Sequence, residues 1–166
     1  MAQGILAALP APYRPTRQQL ETAFGSTRIA GRLDRRGRWL FDVAHNPDGL
    51  RALVTALRAI RPPGPVHALV SILGDKEWPE MLVELDRVLD RGVLTVAPTA
   101  ESRGWDAAWL RRWLAKRPRP PARAAWTLIP DFRQALATVQ QGAGTVLVTG
   151  SFHTVGDVME VLGMGV

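Results

Sequence analysis

Cysteine is absent from this chain of 166 residues, which excludes disulfides and thiolate metal sites. Lysine is almost absent too, with Lys76 and Lys116 the only examples. No apolar run approaches the roughly 20 residues needed to cross a bilayer. The first ten residues lack a basic n-region, so a secretory signal is not expected. These absences fit a cytoplasmic protein with no membrane partner.

Two nucleotide motifs are missing as well. There is no Gly-Lys dipeptide anywhere, hence no P-loop of the form Gly-x-x-x-x-Gly-Lys-[Ser/Thr]. No Gly-x-Gly-x-x-Gly follows any expected strand, which removes the dinucleotide-binding fingerprint. A complete kinase, ATPase or dehydrogenase is therefore not encoded here.

What is present is a basic, moderately apolar chain. The net charge is +6 with a pI near 11.1, and 46% of residues are hydrophobic, ordinary for one globular domain. The excess charge is arginine spread along the chain. Its densest group is Arg111, Arg112, Lys116, Arg117, Arg119 and Arg123, on the end of a helix and a Pro-rich loop. Cations at a helix C-terminus are favoured by the dipole alone. No stacking motif or zinc-finger spacing accompanies them, so a solvated face is expected rather than a nucleic-acid site.

Periodicity then lays out the elements. A short helix over 15–24, capped by Thr16, is followed by a strand over 27–34. Arg35-Arg36-Gly37 reads as a hairpin turn into a strand over 39–43. Beyond it strands near 66–73, 93–97, 126–129 and 145–149 alternate with helices near 47–60, 77–89, 105–116, 131–140 and 154–162. Such alternation implies crossover connections and a mostly parallel sheet covered on both faces. The first hairpin supplies one antiparallel edge. The first thirty residues lack a strong core pattern of their own and read as a connector.

Each strand end is followed by polar chemistry. Asp42-Val43-Ala44-His45-Asn46-Pro47 joins the second strand to a helix; Asn46 suits the cap and Pro47 the first helical position. Gly74-Asp75-Lys76, Pro98-Thr99 with Arg103, and Gly150-Ser151-Phe152-His153 follow later strands. In a parallel sheet these loops share the rim where ligands bind. Acids, cations, hydroxyls and two of three histidines suit a polar, anionic ligand. His67 falls within a strand and reads as structural. Ser151 lacks the Gly-x-Ser-x-Gly elbow of a hydrolase. His45, Asp42 and His153 have no metal-ligand spacing, so no metal site is assigned.

At these loops the chain resembles the C-terminal domain of folylpolyglutamate synthase/dihydrofolate synthase, in the Mur ligase superfamily. Ala30-Gly31-Arg32-Leu33 is similar to the family's Pro-Gly-Arg segment, with alanine for proline. Leu40 through Pro47 matches its Asp-x-Ala-His-Asn-Pro signature. Gly74-Asp75-Lys76-Glu77, Thr95 to Arg103 and Thr149-Gly150-Ser151-Phe152 resemble three further segments in order. The resemblance implies a three-layer Rossmann-like α/β domain with a mostly parallel six-stranded sheet and one antiparallel edge strand.

It also implies a role in an ATP- and Mg-dependent ligase. An N-terminal P-loop ATPase domain phosphorylates a folate or dihydropteroate carboxylate, and the amine of glutamate displaces the phosphate. By match of motif Arg32 and Asp42 would contact the nucleotide. His45, Asn46 and Ser151 would meet glutamate, His45 and Ser151 being the catalytic candidates. Asp75, Lys76, Arg103 and His153 are possible supporting residues. The P-loop, magnesium ligands and catalytic lysine of the family lie in no segment of this sequence; residues 1–25 resemble the tail of the family's central domain and its linker, and 26–166 the C-terminal domain. The chain alone is therefore expected to be inactive, to bind neither cofactor firmly, and to need an ATPase domain in cis or in trans. Two other readings are a peptidoglycan Mur ligase C-terminal domain and a non-catalytic nucleotide- or anion-binding partner domain. His45-Asn46-Pro47 and Thr149-Gly150-Ser151 favour the folate branch.

Overall fold

The computed structural model describes residues 2–116 and 124–165; Arg117, Arg119 and Arg123 of the arginine group lie outside them. Helices α1 (Ala2–Ala7) and α2 (Arg17–Ser26) precede a hairpin of β1 (Asp34–Arg36) and β2 (Trp39–Asp42). The chain continues through α3 (Pro47–Ile60), β3 (Val66–Val70), α4 (Trp78–Leu85), β4 (Arg91–Leu94), α5 (Ala107–Lys116), β5 (Ala125–Leu128), α6 (Phe132–Gln140), β6 (Thr145–Thr149) and α7 (Phe152–Val161). The sheet order is β1-β2-β6-β3-β4-β5. Of the strand pairs among the described residues only β1–β2 is antiparallel.

Alternation along the strands sends side chains to two cores. Leu40, Ala68, Val70 and Leu147 pack with Leu50, Leu53 and Leu57 of α3 and Met81, Leu82 and Leu85 of α4. Phe41, Leu69, Val93, Val146 and Val148 pack with Phe132, Ala135 and Leu136 of α6 and Val155, Val158 and Met159 of α7. The sheet is thus the middle of three layers, buried on both faces as parallel sheets require.

Register sets the site. Asp42 pairs with Thr149, Thr149 with Val70, Val70 with Leu94, and Leu94 with Leu128. Five strands therefore end at one level and release their loops on one rim. β6 enters between β2 and β3 from the far edge, so the strand order reverses there, the position that opens a ligand crevice in such sheets.

Several boundaries differ from the sequence expectation. Residues 27–33 form no strand: Ile29 and Arg32 make an isolated bridge around a turn, and Leu33 takes a left-handed φ of 46°. The hairpin turn falls at Gly37-Arg38 rather than Arg35-Arg36-Gly37. The apolar runs 66–73 and 93–97 outlast their strands because Ile72, Leu73 and Ala97 are buried as loop. Helix 77–89 ends at Leu85, although Leu89 stays in the core. Trp105 precedes α5; its Nε1 donates to Thr95 O at 2.6 Å. α2 has its Thr16 capping box but buries no residue.

Candidate functional site

Asp42 closes β2 and is 7% exposed. Its Oδ1 accepts from Ala44 N at 2.9 Å and its Oδ2 from Leu33 N at 3.0 Å. Burial pushes this carboxyl above its ordinary value; the two backbone bonds and the Arg32 charge oppose that but do not win. Asp42 thus clamps the strained Arg32–Leu33 turn to the strand end. Val43 N, donating to Gly31 O at 2.8 Å, is the second tie.

His45 is half-buried. Its Nδ1 lies 2.9 Å from Val43 O, and a carbonyl can only accept, so Nδ1 carries the hydrogen. In the neutral ring Nε2 is then the free acceptor. Asn46 follows and caps α3, accepting from Gly49 N at 2.7 Å.

Ser151 sits 2% exposed at the start of α7. Its Oγ accepts from Thr154 N at 3.1 Å and lies 2.7 Å from Thr154 Oγ1. Thr154 Oγ1 donates to Ser71 O at 2.6 Å, so Ser151 must donate to Thr154. Its proton is committed to the fold. Gly150 makes the approach possible: at φ 111°, a Cβ there would lie 2.6 Å from Ser71 O. Thr149 Oγ1, just before it, is buried with no hydrogen-bond partner among the described residues.

Phe152, which carries no role in the sequence reading, joins these pieces. Its ring centroid lies 5.5 Å from that of His45 and 5.9 Å from the guanidinium carbon of Arg32. Arg32, His45 and the α7 N-terminus thus form one group. His153 points elsewhere: Nδ1 is 2.9 Å from Thr99 Oγ1, while Thr99 N donates to Asp157 Oδ2 at 3.2 Å. Asp75 forms a third group, 3.3 Å from Arg103 and 3.6 Å from Lys76. Desolvation raises the Asp75 carboxyl, but Lys76 and Arg103 together outweigh it and hold it below its usual value. Asp157 and Thr154 were also missed; Ser151 followed by Thr154 is the three-residue spacing of a helix cap.

An exposed guanidinium beside the free N–H groups of a helix start suits phosphate or carboxylate oxygens. Both oxygens of Asp42 are engaged by backbone. The described residues gather no set of three or more His, Asp or Glu side chains that could hold a metal ion. No described helix is long and apolar enough to cross a membrane.

A six-stranded, mostly parallel sheet whose strand ends gather polar loops on one rim is an α/β ligand-binding architecture, and comparison with known proteins gives its family. Residues 28–152 match the family described as Mur ligase, glutamate ligase domain, and the chain belongs to that family. Within it, the chain is similar to the dihydrofolate synthase/folylpolyglutamate synthase of Escherichia coli. Identity is 36% over 126 residues, 75% of this chain and 28% of that protein. E. coli FolC solved with DHPP and ADP superposes with a TM-score of 0.71 at 29% identity, covering 95% of this chain and 36% of that one. The bifunctional enzyme of Yersinia pestis, complexed with AMPPNP and a Mn ion, gives 0.73 at 28% identity over the same shares. The chain therefore spans about a third of the length of these relatives.

Proposed function

We infer that this chain is the nucleotide- and glutamate-facing domain of an ATP-dependent folate–glutamate ligase, working with a P-loop ATPase domain that the relatives' additional length would hold. The observation that carries the reading is the convergence of Arg32, His45 and the α7 N-terminus at the strand-order reversal.

ATP would supply the acyl phosphate that activates a folate or dihydropteroate carboxylate, with magnesium held by the ATPase domain. Arg32, without an ion pair among the described residues and next to the Leu33 that Asp42 holds, offers its N–H groups to phosphate oxygens. With Nδ1 held by Val43 O, His45 keeps Nε2 to accept a hydrogen bond from the ammonium group of glutamate, and it can take that proton before attack. The first N–H groups of α7 receive a glutamate carboxylate. Ser151 builds that helix start rather than reacting, and Asn46 fixes the entry to α3. Lys76 and Arg103 share one carboxylate and keep a surplus positive charge for an acidic substrate. His153 stiffens the neighbouring loop through Thr99.

Without the phosphate cradle, positioning worth roughly 7–11 kcal/mol of barrier is missing. The chain alone should release no phosphate from ATP, magnesium, dihydropteroate and glutamate. Joined to the ATPase portion of the E. coli relative, it should form ADP dependent on glutamate and a folate acceptor. Phosphate release by the chain alone, or an inert but folded and nucleotide-binding chimera, would overturn the reading.

A further inference from the structure

An exposed phenylalanine is a poor choice for the first turn of a helix. Phe152 leaves 60% of its surface open, where the helix dipole would reward Asp or Glu instead. Its neighbours give the reason. The Arg32 side chain makes no hydrogen bond or ion pair with any described residue, and its guanidinium lies over the Phe152 ring. His45 meets the same ring at a tilt of 39°. The two come from separate loops, and no other described ring contacts either of them.

We propose that Phe152 is a positioning residue, which holds the Arg32 guanidinium and the His45 imidazole together while leaving their hydrogen-bonding atoms open. A carboxylate in its place would also hold Arg32, but by occupying its donors and cancelling its charge. An aromatic face attracts the cation through the ring's quadrupole and leaves the planar N–H fork for an incoming anion. His45 is treated in the same way: Nδ1 is fixed by Val43 O, the ring leans on Phe152, and Nε2 stays available. The positioning stands on this geometry alone; its consequence for turnover rests on the ligase reading above.

The chain itself supplies the first test. Nuclear magnetic resonance signals of Arg32 Nε–H and the His45 ring should be displaced by the ring current in the native protein and in Phe152→Tyr. In Phe152→Leu, which keeps bulk without a π face, both should move to the positions of freely rotating side chains. Unchanged signals in Phe152→Leu would overturn the proposal, whatever the activity. In the chimera, Phe152→Leu should raise KM for ATP and glutamate about two- to fivefold, the scale of an exposed cation–π contact, with kcat nearly unchanged and Phe152→Tyr restoring KM. Phe152→Glu should melt no lower than native protein yet bind ATP more weakly than Phe152→Leu. Loss confined to kcat, or tight ATP binding by Phe152→Glu, would also count against it. An inert native chimera would sink the ligase reading while the resonance test still decided the positioning.

Discussion

Asp42 and His45 stand three residues apart, and the fold treats them differently. The folded state binds a proton on Asp42 more strongly than the unfolded chain does, because burial raises its carboxyl. The ionised form therefore costs stability, and the cost appears as pH rises through and above the ordinary carboxylate value. Asp42→Asn removes the titration but puts an NH2 against Leu33 N or Ala44 N, a loss independent of pH. On top of that loss, its stability relative to the native chain should improve as pH rises above the ordinary carboxylate value in urea melts. If the native chain gains instead, the carboxylate is a net stabiliser and this account of it fails. His45 is the reverse case, a side chain the fold needs little. His45→Ala forfeits one hydrogen bond to Val43 O, about 0.5–1.5 kcal/mol. Its loss of a contact to a charged amine should lower glutamate kcat/KM in the chimera about tenfold or more. Unchanged glutamate kinetics would remove His45 from the site; a collapse in melting temperature would make it structural.

Elements were legible where local signals agreed. α3 occupies the expected residues because Asn46 caps it, Pro47 begins it and Leu50, Leu53, Val54 and Leu57 form its buried stripe. β6 reads equally well, since all its residues are buried. Segment 27–33 was illegible because its turn is held by Asp42, and Ile29 and Leu33 point their apolar side chains outward. The 3-10 helix Pro98–Arg103 is likewise held from afar, by Ser71 Oγ on Ala97 N and Asp157 on Thr99 N. For the site, the rim loops could be listed from strand ends, but the Phe152 contact requires two loops to meet and has no signature along the chain. Ser151 shows how an element and the site overlap. Ser151→Ala leaves Thr154 N without its cap and Thr154 Oγ1 without its donor, which should cost about 1–2 kcal/mol and lower Tm by about 2–8 °C. Ser151→Asp keeps an acceptor for Thr154 N and should recover part of that loss by the same thermal melt. An unchanged Tm in Ser151→Ala would mean that the cap contributes nothing and that the serine is held for ligand alone.

At the scale of the whole molecule the stable body and the N-terminal segment separate. None of the described side chains over 4–30 is buried, whereas both cores draw only on Trp39 and beyond. Ile5, Tyr13, Phe24 and Ile29 are left exposed at that end. We propose that residues 1–25 belong functionally to the ATPase side of the ligase, and that 26–166 is the folding unit. Deleting residues 1–26 removes α1 and α2 but leaves the Ile29–Arg32 bridge, the Asp42 clamp and every core residue. Surface changes of this kind usually alter stability by less than about 0.5 kcal/mol each. The shortened chain should therefore unfold cooperatively, with Tm within about 2 °C of the full chain. Its ability to complement a separate ATPase portion should fall, because the exposed apolar side chains that would dock there are gone. Calorimetry and the glutamate-dependent ADP assay give the two readouts. A large drop in Tm would place the segment in the folding unit, and full complementation by the shortened chain would remove it from the contact between the two halves.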